Sequence, residues 1–193
     1  MGYASALFPI LIVGVGSVAP GLIGQLLNEF KFKTDAEARD KYVNSNAGKF
    51  LVGYVMGLPV ASFSTGGSSN TCDFFQIRPG GAKTDAMLGN KFKQQDIARS
   101  SAVCMAGAVS QCKKFEVASG TNPGDVNTLY ELMNACDPPL APNQVQDHIR
   151  WSGLEAFKIL EEHGEAYERL VLAFDQGLPM EECIAAIEGT GEV

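Results

Sequence analysis

Apolar and polar positions divide the chain into two regimes that meet near residue 34. No charged side chain precedes Glu29. Within that stretch, ALFPILIVGVGSVAPGLIGQLL from Ala6 to Leu27 is long enough to cross a bilayer as a helix, which takes about 20 residues. Pro9 and Pro20 would interrupt a soluble helix, and Gly14, Gly16, Gly21 and Gly24 would weaken it. Membrane helices tolerate both, because neighbouring helices satisfy freed backbone groups and small residues allow close packing. Residues 1–33 are therefore expected to form a membrane anchor, as a spanning helix or a membrane-buried hairpin. Two rival readings are weaker. A cleavable signal wants a basic start, and MGYASA has none. LIVGVGSVAPGLIGQLL imitates the strand, GxGxxA turn and helix that open a dinucleotide fold, but the polar, helical KFKTDAEARDKY follows where that fold needs an alternating strand-helix series.

From Thr34 the pattern becomes that of a soluble, mostly helical domain, residues 34–193. Thr34 is placed to cap a helix whose first turn carries Asp35 and Glu37 and whose Ala47, Phe50, Leu51 and Tyr54 recur at helical spacing. Gly57 and Pro59 stop it. VASFS (60–64) reads as a short strand, TGGSSN as a loop, and FFQI (74–77) as a second strand before the turn-rich RPGGAKTD. Four more helices are expected: Asp96 to Phe115, with Ile97, Val103, Ala106 and Val109 apolar among small residues that suit close packing; Val126 to Cys136; Asn143 to His163, with Trp151, Leu154, Phe157, Ile159 and Leu160 as its apolar surface; and Ala166 to Asp175. A final turn runs from Pro179 through Ile187. The fold class is mainly α (α+β): a membrane helix, then a helical domain with a small β element.

Composition narrows the function. A chain of 193 residues that is 46% apolar and 19% charged supports one ordered core. Its formal net charge of -7, with no lysine- or arginine-rich run, argues against a nucleic-acid partner. Cys72, Cys104, Cys112, Cys136 and Cys183 include no CxxC pair, so buried structural thiols are expected rather than a thiolate cluster. His148 and His163 are read as exposed or satisfied helix residues. The run Glu161, Glu162, Glu165 and Glu168 is read as a solvated helix face. No GxxxxGK[ST] phosphate loop is present.

One stretch carries a chemical question. SNAGKFLVGYVMGLPV, from Ser45, resembles the metal-binding helix of FtsH-type zinc metallopeptidases, closest to the chloroplast branch that lacks an ATPase module. That branch typically reads HEAGHFLVAYLLGLPV. Two histidines four residues apart share a helix face and both reach zinc, while the glutamate takes a proton from zinc-bound water. Ser45 stands in place of the first histidine, Asn46 of the glutamate and Lys49 of the second histidine. CMAGAVSQCKKF resembles the family's LAG-containing helix, and NPGDVNTL the segment whose aspartate, here Asp125, is the third ligand. The tail from QVQDHIRWSGLEAFKILEEH to GLPMEECIAAIE is similar to the same branch.

The resemblance implies a zincin-like domain, and the substitutions imply a pseudopeptidase. Serine and asparagine are poor zinc ligands and an ammonium repels the ion, so no metal cofactor is expected; bound pigment or lipid is left open. The expected role is a catalytically inactive, membrane-anchored structural or accessory subunit of a chloroplast thylakoid complex, with the helical domain on the stromal side. Its partners would be membrane lipid and either photosynthetic core or antenna subunits or AAA+ protease subunits. The alternative is a zinc-dependent metalloendopeptidase taking part in ATP-dependent proteolysis. If the fold is kept, Lys49 either points toward Asp125, its ammonium near the lost metal's place, or extends to solvent.

Overall fold

A computed structural model describes residues 35–64, 71–74, 92–116 and 123–190. The expected membrane anchor, residues 1–33, lies outside the described residues, as does Thr34. The chain divides into two units, residues 1–40 and 41–193. The first enters only through residues 35–40, where the Asp35 carboxylate accepts the backbone N–H groups of Glu37 (3.1 Å) and Ala38 (3.3 Å) and so caps a helix.

Among the described residues there are six helices and one two-stranded sheet, in the order α1 (Ala36–Val55), β1 (Val60–Ser64), β2 (Thr71–Phe74), α2 (Gln94–Phe115), α3 (Pro123–Asn134), α4 (Pro142–Glu162), α5 (Gly164–Gln176) and α6 (Met180–Glu188). The fold is mainly α with a small β element. None of these helices is long and apolar enough to cross a membrane. The second strand begins at Thr71, earlier than the expected FFQI, of which only Phe74 lies among the described residues. Helix α3 begins at Pro123, ahead of the expected Val126, because the fixed φ and absent N–H of proline suit a first helical turn. Helix α4 likewise opens on Pro142, with the Gln144 side chain accepting the N–H of Ala141 at 2.8 Å.

Helix α1 is the central element. Its buried residues are Val43, Asn44 and the unbroken run Asn46 to Gly53, covering every side of the helix. A helix with no solvent face packs on all sides. On one side it meets α2 at close range, because both surfaces are stripped of side chains. A β-carbon added to Gly48 would stand 2.8 Å from the Ser110 β-carbon, and one added to Gly107 would stand 2.5 Å from the Ser45 hydroxyl and 3.0 Å from Lys49 Cε. On another side, Phe50 packs with Phe63 of β1 and Phe174 of α5, ring centroids 5.2 to 5.8 Å apart. The buried Tyr167 hydroxyl of α5 donates to the Asn44 side-chain oxygen at 3.0 Å. Tyr54 donates to Glu188 of α6 at 2.6 Å.

The remaining helices wrap this centre. Strands β1 and β2 pair antiparallel, Phe63 opposite Cys72, with a bulge between Val60 and Ser62 that lets the Ser62 hydroxyl donate to Asp73 at 2.8 Å. Helix α4 lies along α2 through His148, Ser152, Ala156, Ile159 and Leu160. That face corrects the sequence expectation: Ile159 and Leu160 are buried, but Trp151, Leu154 and Phe157 point outward. Lys113 of α2 donates to the Leu160 carbonyl at 3.0 Å and pairs with Glu161 at 2.9 Å. Helices α5 and α6 form a hairpin through Gly177, whose φ of 71° needs a residue without a β-carbon. Arg169 closes its far end by donating to the Ala186 carbonyl at 2.8 Å.

Helical glycines that touch a neighbour make a sharp test. Gly53 lies under the Phe74 ring, with no room for a methyl group between them, whereas nothing stands within 4 Å of a β-carbon on Gly164. Alanine improves helix propensity at both sites by up to about 1 kcal/mol. Gly53→Ala is nonetheless expected to destabilise by about 1–3 kcal/mol through overpacking, and Gly164→Ala to be neutral or mildly stabilising. Urea denaturation of both variants checks the contrast.

Candidate functional site

The four positions singled out by the metal-motif resemblance fall in one region, where α1 crosses α2 and faces the first turn of α3. Ser45, Asn46 and Lys49 sit on adjoining turns of α1. Asp125 stands in the first turn of α3, where a carboxylate also meets the positive end of the helix dipole. The Lys49 ammonium and the Asp125 carboxylate form an ion pair whose side chains are 8% and 5% exposed. Of the two orientations open to Lys49, the structure has the one toward Asp125. Asn46 is spent locally, its amide donating to the Tyr42 carbonyl at 2.9 Å. Ser45 lies against Gly107, the residue whose missing side chain lets α2 approach.

The electrostatics follow from burial. Desolvation pushes the Asp125 carboxyl above the usual carboxylate range; Lys49 pulls against that shift, and the nearby Asp73 carboxylate adds to it. Burial pushes the Tyr42 hydroxyl up, and Asp125 adds to that shift. The Cys104 and Cys72 thiols are also raised by burial, Lys49 opposing it in both cases. Cys183, buried further off, is pushed up to about 12. Burial therefore favours the neutral thiol over the thiolate at all three.

The donor set does not fit a zinc ion. A cation already occupies the one anionic oxygen donor of the four positions, and the other three residues are a hydroxyl, an amide committed to a backbone carbonyl and an ammonium. Among the described residues no group of three or more histidine, cysteine, aspartate or glutamate side chains is placed to hold a metal. The two histidines lie on α4 and at its end. His148 is buried, its Nε2 3.0 Å from the Ser101 hydroxyl and its ring 5.8 Å from that of Trp151. His163 is exposed at the joint between α4 and α5. Glu161, Glu162, Glu165 and Glu168 are exposed, as expected of a solvated face.

Sequence reasoning missed three participants. Gly107 sets the depth of the crossing, and its only signal was the small-residue run CMAGA. Asp73 bears on the carboxylate from a strand too short to show a pattern. Tyr42 supplies the carbonyl that holds Asn46. Comparisons of the chain with protein-family models, with curated proteins and with solved structures found no match.

Two outcomes follow. Lys49→Met leaves a buried carboxylate unpaired and is expected to cost about 3–5 kcal/mol, whereas Lys49→Met with Asp125→Val recovers most of that loss, because an apolar pair of similar size often replaces a buried ion pair at little cost. A double-mutant cycle by chemical denaturation measures both. Burial holds His148 below its ordinary value of 6.5. Folding therefore favours the neutral ring, and that contribution is whole above 6.5 and is lost as pH falls through the lower folded value. The unfolding free energy of the wild type, relative to His148→Gln, should decline below about pH 6.5 with a slope of at most about 1.4 kcal/mol per pH unit.

Proposed function

We propose that this chain is a non-catalytic, FtsH-peptidase-like protein that serves as a structural or accessory subunit of a thylakoid membrane complex, held there by residues 1–33. The observation that carries the reading is the buried Lys49–Asp125 pair. At the positions that resemble a metal motif, an internal cation meets the carboxylate that would otherwise need a metal. A centre neutralised in this way has no electrophile to polarise a peptide carbonyl and no bound water to activate. The protonated thiols and the position of the two histidines supply no alternative nucleophile and base at this site.

Support for the membrane setting comes from the uncharged, glycine-rich stretch Ala6 to Leu27, which suits packing against other transmembrane helices. Such packing favours a stable subunit of a photosynthetic complex over a regulatory member of an AAA+ protease assembly. The plastid setting rests on the resemblance alone.

The test is purification from membranes in mild detergent through a tag on the full chain, with the recovered proteins identified by mass spectrometry and metal measured by emission spectroscopy. Photosynthetic subunits in fixed ratio and no stoichiometric zinc are expected. Recovery with AAA+ protease subunits, again without zinc, would reassign it to a degradation machine. Recovery alone with one zinc per chain would overturn the reading in favour of a metalloendopeptidase.

A further inference from the structure

The first turns of α2 and α4, with the segment that joins α3 to α4, border an open cleft of about 810 Å³. That volume lies within the range of about 300–1,000 Å³ usual for small-molecule sites, where apolar walls carry a few convergent polar groups. Ala98, Pro138 and Trp151 supply the apolar wall, and the His148 ring lines the cleft beside them. The Trp151 and His148 rings lie 5.8 Å apart with their planes 33° from parallel, so two flat faces meet at one place. Hydrogen bonding decides what the histidine offers there. His148 is 6% exposed and Ser101 is 0% exposed. The Ser101 hydroxyl has one partner among the described residues, His148 Nε2 at 3.0 Å. A buried hydroxyl must donate somewhere, so it donates to Nε2, and the proton of the neutral ring sits on Nδ1. Nδ1 has no partner among the described residues and is not sealed from solvent. A donor thus stands at the cleft wall with nothing to donate to.

We propose that this cleft binds a small, neutral, planar aromatic carbonyl compound, whose ring stacks on Trp151 and whose carbonyl oxygen accepts the His148 Nδ1–H. The site goes beyond the subunit reading and does not depend on it. Each part of the ligand answers one feature of the cleft. The half-exposed indole face favours a flat ring over an aliphatic one. The Nδ1–H requires an acceptor. The rim carries charges of both signs, Lys93 against Asp137 and Asp147, which leaves no use for a net charge on the ligand. A bare metal ion does not fit, because Nε2 already accepts from Ser101, Nδ1 carries the proton, and no group of three ligating side chains is present among the described residues.

Trp151 is the one tryptophan of the chain, so its indole N–H gives a single NMR signal that reports on the cleft. The full chain in detergent is titrated with four probes. Benzamide has both the ring and the carbonyl, aniline lacks the carbonyl, cyclohexanecarboxamide lacks the aromatic ring, and benzoate adds a charge. A saturable shift with benzamide is expected, with a dissociation constant of roughly 1–10 mM for so small a ligand. Each of the other three should bind about fivefold more weakly or worse, the loss of one hydrogen bond or one stacking contact. His148→Gln keeps an acceptor for Ser101 at the place of Nε2 and removes the Nδ1–H. With its unfolding midpoint at neutral pH retained, it should weaken benzamide about fivefold or more. If that variant does not fold, Trp151→Leu, read by saturation-transfer NMR from the ligand, should bring the same loss. No saturable shift with benzamide, equal binding by any of the other three probes, or undiminished binding by folded His148→Gln or by Trp151→Leu would overturn the proposal.

Discussion

A lysine ammonium and an aspartate carboxylate taken out of water together are tolerable only at contact. Separately, each would carry a desolvation penalty of several kcal/mol, and at a distance the low-dielectric interior does not return it. Lys49 and Asp125 therefore constrain more than themselves. They come from helices 76 positions apart in the chain, and neither helix can shift without stranding a charge. Helix α1 must present Lys49 on the side that faces the opening turn of α3, and α2 must come close enough at Gly107 to close over the lysine stem. The pair lies within the run Asn46 to Gly53, where α1 is buried all round. Against an apolar replacement the pair adds little net stability; what it adds is position.

The helices were legible from their apolar periodicity and from breakers such as Gly57, Pro59 and Pro179, whereas Pro123 opens α3 where no helix start was read. Legibility failed where pattern stopped being one-sided. Helix α4 carries apolar residues around more than half its circumference, so periodicity could say that it was a helix but not which arc faced the core. The arc that does so includes His148 and Ser152, which are buried at no net polar cost because each has a partner, the Ser101 hydroxyl for one and the helix's own His148 carbonyl for the other. His148, read as exposed or satisfied, is the satisfied kind, and Trp151, read as part of the apolar surface of the helix, faces outward. The two strands were half legible for a related reason: four or five residues with a bulge give alternation too little length to declare itself.

At the candidate site, the pairing of Lys49 with Asp125 could be anticipated from residue chemistry, since a cation stands where the resembling motif has a metal ligand and the matching acid is retained. Proximity could not. Gly107 matters by what it lacks, and an absent side chain leaves no chemical signature apart from the company of other small residues. Asp73 acts through space on Asp125 from a sheet whose register no local pattern fixes.

The two departures from the ordinary partition of residues in this chain have opposite resolutions. The buried charges are answered within the chain, by each other, where α1 crosses α2 and faces α3. The exposed apolar stripe on α4 has no such answer among the described residues, since its neighbours on the helix surface are charged side chains already engaged with one another. Isolated surface leucines need no explanation, but three large apolar side chains in register beside a cleft keep an unfavourable hydration cost that the fold itself does nothing to relieve.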